Sequence, residues 1–269
     1  MKRGIMFGAI AAALCSAAYA NSQTMEVVSI IGTSQDARQL AGTGSVIDSE
    51  QLGIEAARDI NQLLKTIPGI YIQEEDGYGL RPNIGIRGAT SERSSKVTLM
   101  EDGVLIAPAP YSNPAAYYFP TTSRMHSVEV LKGAPLLRYG PQTTGGVINL
   151  ISTPIPDQMS GNINLSYGQN AEADLLANYG GRSGDFCFLI ETTQRSADGF
   201  KDIDGSNSDT GYEISDYLVK LLWEGESQSL AFKAQYSEEV SDETYLGLTD
   251  VDFNRDEDRR YGLSEIDQM

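Results

Sequence analysis

Two hydrophobic periodicities divide this chain near residue 158. Before it, apolar residues come in short β-branched runs that end in glycine: Asn83-Ile84-Gly85-Ile86-Arg87-Gly88, Leu99-Met100-Glu101-Asp102-Gly103, Val128-Glu129-Val130-Leu131-Lys132-Gly133 and Tyr139 through Gly145-Gly146-Val147-Ile148-Asn149. Each reads as a strand entering a tight turn, and several within about seventy residues imply a compact mixed domain. Helical signals precede them. Asp48 and Gln51 fit a capping box, and Ile60, Leu63, Leu64 and Ile67 share one helical face before Pro68-Gly69 stops the helix. That stripe is core packing.

After residue 158 the period becomes two. Ile163, Leu165 and Tyr167 share a face, as do Leu175, Ala177 and Tyr179, then Phe186, Phe188 and Ile190. Tyr217, Val219, Leu221 and Trp223 oppose Lys220 and Glu224, and Leu230, Phe232, Ala234 and Tyr236 oppose Lys233 and Gln235. Segments of about ten residues with one apolar face and aromatics near their ends match a membrane β-barrel. A soluble β-sandwich would alternate in the same way. Leu189 and Leu222 break the pattern by falling on the polar side. Ser196–Ser215 and the stretch from Ser237 onward are polar and acidic, as long loops are.

Composition narrows the choice. The net charge of −17, from 37 acidic and 20 basic side chains, disfavours nucleic-acid binding, which needs clustered cations. Beyond the N-terminus no apolar run reaches the roughly 20 residues of a spanning helix, which leaves a barrel open. Met1–Ala20 reads as an export signal: Lys2 and Arg3, an apolar stretch from Ile5 to Leu14, then Ala18-Tyr19-Ala20. Of the two cysteines, Cys15 lies in that leader and Cys187, between two phenylalanines, reads as a buried structural thiol. His126 is the only histidine, and no nucleophile–base or metal-ligand spacing surrounds it. Asp250–Asp258 imitates a calcium loop, but Arg255 and Tyr261 stand where glycine and a bidentate glutamate are needed, so a solvated acidic loop is expected.

The glycine-punctuated motifs, in this order, resemble the plug domain of TonB-dependent outer-membrane receptors, most closely the ferric dicitrate receptor type, over residues 25 to 269. The resemblance implies an α+β plug domain followed by the start of an antiparallel transmembrane β-barrel, about 22 strands when complete. It divides the chain into a signal peptide (1–20), a TonB box and linker (21–44), a plug (45–157) and the first barrel strands and loops (158–269). About five strands cannot close a barrel, so the sequence is expected to be the N-terminal part of a longer receptor.

Met25–Thr33 is an apolar, β-branched segment suited to strand addition on a partner, or to serving as a first plug strand. The resemblance favours a TonB box, with Glu26, Val27, Val28, Ser29, Ile30 and Ile31 meeting TonB. Only Asn21–Thr24 would precede it, which points to transport without transcriptional signalling. Three loops carry the expected ligand contacts: Tyr78 and Arg81, then Arg93, then Tyr111 and Asn113 in a Pro- and Tyr-rich stretch. For Arg81 and Arg93, pairing with barrel carboxylates is an equal alternative. Arg87, Lys132 and Arg138 are expected to pair plug to barrel. The function implied is active import of a ferric chelate, ferric citrate or a similar siderophore, across the outer membrane, without an enzyme site or resident cofactor. The partners are TonB with its inner-membrane energising complex, the chelate and outer-membrane lipid. Cobalamin or another siderophore as cargo, a non-transporting plug-like binding module, and a secreted β-rich enzyme are the rival readings.

Overall fold

The computed structural model of the chain describes residues 29–40, 42–55, 59–75, 77–106, 118–133, 139, 144–205, 210–242 and 247–262. The leader, Glu26, Val27, Val28, Tyr111, Asn113 and Arg138 lie outside these residues.

Residues before 158 build a mixed sheet with both faces covered. Its strands are β1 (Thr43–Ile47), β4 (Val97–Glu101), β5 (Val104–Leu105), β6 (Met125–Lys132) and β7 (Gly146–Ser152), in the order β1-β6-β7-β4-β5. The β4/β7 pair is parallel and the others are antiparallel. Burial on both faces explains why these strands read as continuous apolar runs rather than alternating ones. One face packs against helices α2 (Ser49–Glu55) and α3 (Ile60–Lys65) and the hairpin of β2 (Ile70–Gln73) and β3 (Asn83–Ile86). Val97, Leu99, Val128, Val130, Ile148 and Leu150 meet Ile60, Leu63, Leu64, Ile84 and Ile86 there in one core cluster. The expected cap forms at Asp48, and the structure adds a second at Asp59. The Asp48 carboxylate accepts from Gln51 N at 3.0 Å, and Asp59, the N-cap of α3, accepts from Asn61 N at 2.7 Å.

The opposite face is covered by the N-terminal segment, where Ile31 and Ala37 pack on Met100, Leu131 and Val147. Ser29–Gly32 are not a strand; they lead into a one-turn helix, α1 (Ser34–Ala37), closed by a Thr33/Asp36 capping box. Glycine and Asp-Gly turns sit where the motifs place them. Asp102 (φ 48°) and Gly103 (φ 76°) form the left-handed pair that joins β4 to β5. Arg87 (φ 53°) and Gly88 (φ 82°) do the same after β3, with Ala89 N donating to Ile86 O at 3.1 Å.

Residues from 160 onward form an open antiparallel sheet of long strands in the order β13-β12-β10-β9-β8: β8 (Ser160–Tyr167), β9 (Ala173–Ser183), β10 (Phe186–Ala197), β12 (Tyr212–Glu224) and β13 (Ser229–Ser241). Short β11 (Asp202–Ile203) pairs in parallel with β14 (Arg259–Arg260). Ile163, Leu165, Tyr167, Tyr179, Phe186, Ile190, Tyr217, Leu221, Leu230, Phe232 and Tyr236 are exposed on one face. The other face buries Glu191, Thr193, Arg195, Asp216 and Lys220 beside Cys187, Leu189, Leu218 and Leu222. The two leucines that broke the alternation thus face inward with the polar set, on the side the N-terminal module covers. Strands β12 and β13 extend into stretches whose composition reads as loop, because ladder pairing to the neighbouring strand carries polar residues along. The acidic tail also departs from a plain loop. Thr249 caps a short helix, α4 (Asp250–Arg255), its hydroxyl accepting from Asp252 N at 3.3 Å.

Candidate functional site

The N-terminal module is fastened to the inner face of the long-stranded sheet by a buried charge cluster. Arg124, 1% exposed, forks onto Glu101 with Nη1–Oε1 at 3.0 Å and Nη2–Oε2 at 2.8 Å. Its Nε lies 3.6 Å from Asp216 of β12, whose carboxylate also accepts from the Thr121 hydroxyl. Lys233 of β13 reaches Glu101 at 2.5 Å and Asp102 at 2.7 Å. Lys220 of β12 stands 3.5 Å from Asp102 and donates to Thr153 O at 2.8 Å. Thr153 Oγ1 in turn donates to Glu191 of β10 at 2.6 Å. Burial alone would raise the Glu101 carboxyl, but Arg124 and Lys233 outweigh it and hold the group below its usual range. Asp102 is lowered in the same way, burial being outweighed by Lys220, Lys233 and Ser152. Burial also pushes the Tyr118 phenol, beside Arg124, up to about 12.

At one end of this interface the loop between β2 and β3 packs on the sheet. Tyr78 and Leu80 join Ala197, Tyr212 and Ile214 in a separate apolar cluster. The Tyr78 ring stacks edge-on against Tyr212 at 4.8 Å and Phe200 at 5.5 Å. Arg81 pairs with Glu239 of β13 at 2.6 Å, both side chains mostly covered. Arg93 pairs instead within its own module, with Glu75 at 3.1 Å, and its backbone (φ 49°) is held by Asn83, whose Oδ1 accepts from Arg93 N at 2.8 Å. Tyr78 and Arg81 are therefore brought together on the sheet, with Arg93 on a neighbouring loop.

Of the cations expected to pair with the barrel, Arg87 and Lys132 have partners inside the N-terminal module. Arg87 donates to the Thr43 hydroxyl at 2.9 Å, and Lys132 donates to Pro68 O at 2.8 Å. Burial and the nearby Arg87 guanidinium hold the Lys132 ammonium below its usual range. Ser29, Ile30 and Ile31 lie against the buried Glu129: its carboxylate accepts from Ile30 N at 2.8 Å, Ile31 N at 3.2 Å and the Ser29 hydroxyl. Sequence reasoning singled out none of Glu101, Asp102, Arg124 and Glu129 as functional. The signal was present: a charged residue inside a strand buried on both faces must find a partner. Among the described residues no group of three His, Cys, Asp or Glu side chains could hold a metal ion.

Comparison with known proteins gives this architecture its family. Residues 36–147 match the TonB-dependent Receptor Plug Domain. Residues 36–147 are a TonB-dependent receptor plug domain. The plug is followed by the first antiparallel strands of a barrel whose sheet is open in this chain. The vitamin B12 transporter BtuB of Vibrio vulnificus strain CMCP6 is 26% identical over 98% of this chain and 42% of its own length. An iron-regulated outer membrane virulence protein of Vibrio cholerae is 30% identical over 61% of this chain and 24% of its own. Among solved structures, the unliganded ferric citrate transporter FecA superposes with a TM-score of 0.72 at 23% identity, covering 85% of this chain and 36% of that one. The ferric yersiniabactin receptor FyuA of Yersinia pestis gives 0.62 at 24%, covering 75% and 32%. The chain spans about two fifths or less of the length of the curated relatives it matches. These relatives are receptors and transporters, and TonB-dependent receptors are outer-membrane proteins.

Proposed function

We propose that the chain is the plug-bearing part of an outer-membrane importer of ferric chelates, exported by the leader at residues 1–20. The observation that carries this reading is the plug lodged, through Arg124, Glu101, Asp102, Lys220 and Lys233, against the inner face of a sheet whose outer face is apolar. An apolar exterior suits lipid and a polar interior suits a passage that the plug obstructs. The chelate binds at the loops carrying Tyr78, Arg81, Arg93, Tyr111 and Asn113. TonB draws on the segment from Glu26 to Ile31, and the plug rearranges. The work comes from the energised partner, so the chain needs no hydrolytic site. Of the three cations expected to pair plug with barrel, Arg138 keeps that role, while Arg87 and Lys132 hold the plug's own structure.

An anionic chelate such as ferric citrate suits the guanidinium groups of Arg81 and Arg93, which stand on neighbouring loops. Both already hold carboxylates, so a chelate binds there by exchange for Glu239 or Glu75. Cobalamin is the second reading, favoured by the sequence relation to vitamin B12 transporters over nearly the whole chain. Two measurements test these readings. A receptor lacking Val27–Ile31 should bind chelate but not import it; unchanged import refutes the assignment of the segment. Uptake of labelled ferric citrate and of cyanocobalamin by cells expressing the receptor separates the cargoes. Arg81→Ala with Arg93→Ala should weaken ferric citrate binding, and unchanged affinity assigns both residues to structure.

A further inference from the structure

The Glu129 carboxylate has no part in fastening the plug to the wall, yet it is among the most completely buried charges in the molecule, 1% exposed in the middle of the plug sheet. Among the described residues its partners are all neutral donors. Three successive backbone groups converge on it: Ile30 N at 2.8 Å on Oε2, and Ile31 N at 3.2 Å and Gly32 N at 2.8 Å on Oε1. The Ser29 hydroxyl adds a fourth bond. Successive N–H groups aimed at one anion form a nest, and Gly32, at φ +94°, supplies the left-handed turn that closes it before the Thr33 cap begins α1.

The fifth donor is Asn149 of β7, whose Nδ2 lies 2.9 Å from Oε2. Asn149 works from both ends, because its Oδ1 accepts from Gly103 N at 2.9 Å. Gly103 follows Asp102 in the β4–β5 turn, and the Asp102 carboxylate is the one gripped by Lys233 and Lys220 of the barrel wall and by Ser152 N at 2.9 Å. A continuous polar path thus runs from residues 29–32 through Glu129, Asn149 and Gly103 to the wall.

We propose that Glu129 is a latch that docks the N-terminal segment on the plug and, through Asn149, couples its removal to the Asp102–Gly103 turn at the barrel wall. The donors lie consecutively along the chain, so a pull from the N-terminal side breaks them one after another, beginning at Ser29. Once they leave, a buried carboxylate keeps Asn149 as its donor, and a buried charge so poorly solvated draws in water or new donors. Asn149 then reorients toward it, and Gly103 N loses its acceptor. The proposal rests on the reading that TonB pulls this segment, but the latch itself can be tested without TonB.

The experiment is amide hydrogen exchange by mass spectrometry on the purified receptor, comparing wild type with Glu129→Gln and, separately, Ile30→Pro. The glutamine turns one acceptor into a donor facing the nest; the proline removes one donor, with the Ile30 side chain that packs beside it, and leaves every residue of the sheet in place. In both, the amides of residues 31 and 32 should exchange at least about tenfold faster, as should that of residue 30 in Glu129→Gln, as expected for losing hydrogen bonds to a charged group. Gly103 should accelerate with them, while the β10–β12 ladder stays unchanged. Retained protection at residues 31 and 32 overturns the latch. Release at residues 31 and 32 with Gly103 unmoved in both variants overturns the coupling. If Glu129→Gln accelerates exchange throughout the plug, Ile30→Pro decides. Exchange as expected, with import that survives deletion of Val27–Ile31, leaves the latch standing and removes the importer reading of the segment.

Discussion

Replacing Arg124 by methionine tests how strongly the buried cluster fastens the plug to the wall. The guanidinium is 1% exposed and makes two parallel bonds to Glu101, with Asp216 3.6 Å away. Its removal strands two buried carboxylates, and breaking such a pair from one side costs roughly 3–5 kcal/mol. Lys233 still reaches Glu101 and the Thr121 hydroxyl still reaches Asp216, which places the expected cost near the lower end, about 3 kcal/mol. Because a factor of ten is about 1.4 kcal/mol, local opening should become roughly a hundredfold more frequent. Hydrogen exchange at Met125 and along β4 reads that change directly, without requiring the whole receptor to unfold in one step. Adding Glu101→Gln removes one stranded charge, so the double variant should recover about 1–2 kcal/mol relative to additivity. An acceleration below about threefold, or strict additivity of the two substitutions, would refute the claim that this pair is the coupled core of the cluster between plug and wall.

Glu101 and Asp102 have lowered folded-state carboxyl values, so their stabilisation is present above the ordinary carboxylate range and lost as pH falls through the lowered values; plug exchange should quicken below about pH 4, and Glu101→Gln should flatten that dependence. Gly79→Ala places a Cβ 1.9 Å from Asp59 Oδ1 at a φ of +76°, and should lower the thermal midpoint through a loss of about 1–2 kcal/mol or more; an unchanged midpoint would show that the loop is not held against α3. Ile190→Arg puts a cation on the exposed apolar face of β10, and should reduce assembly into the outer membrane by the equivalent of about 2–4 kcal/mol if that site lies near mid-bilayer; normal assembly of Ile190→Arg would mean this face does not meet lipid.

Local chemistry determined much of this molecule. The Asp102-Gly103 and Arg87-Gly88 turns, the caps at Asp48 and Asp59, and the Ile60–Ile67 stripe depend on residues within one or two turns of each other, and the sequence displays those residues side by side. The period of two after residue 158 showed which face of each long strand is apolar, because side chains in a strand alternate by geometry alone. The break at Leu189 and Leu222 was visible but not interpretable, since its cause is the plug lying across that face.

What only the tertiary structure decided was the pairing of charges. Arg81, Arg87, Arg93 and Lys132 look alike as cations on loops and strand ends, yet one meets the wall, one a neighbouring loop and two their own module. Arg124, Glu101 and Asp216 are separated by up to 115 positions and become one site only when β4, β6 and β12 are stacked. Glu129 carries the same lesson, because its donors at residues 29–32 lie about a hundred positions away. Hydrophobic pattern is written in sequence because burial acts on each residue's own surface. A buried charge is stable only in company, and folding alone chooses that company.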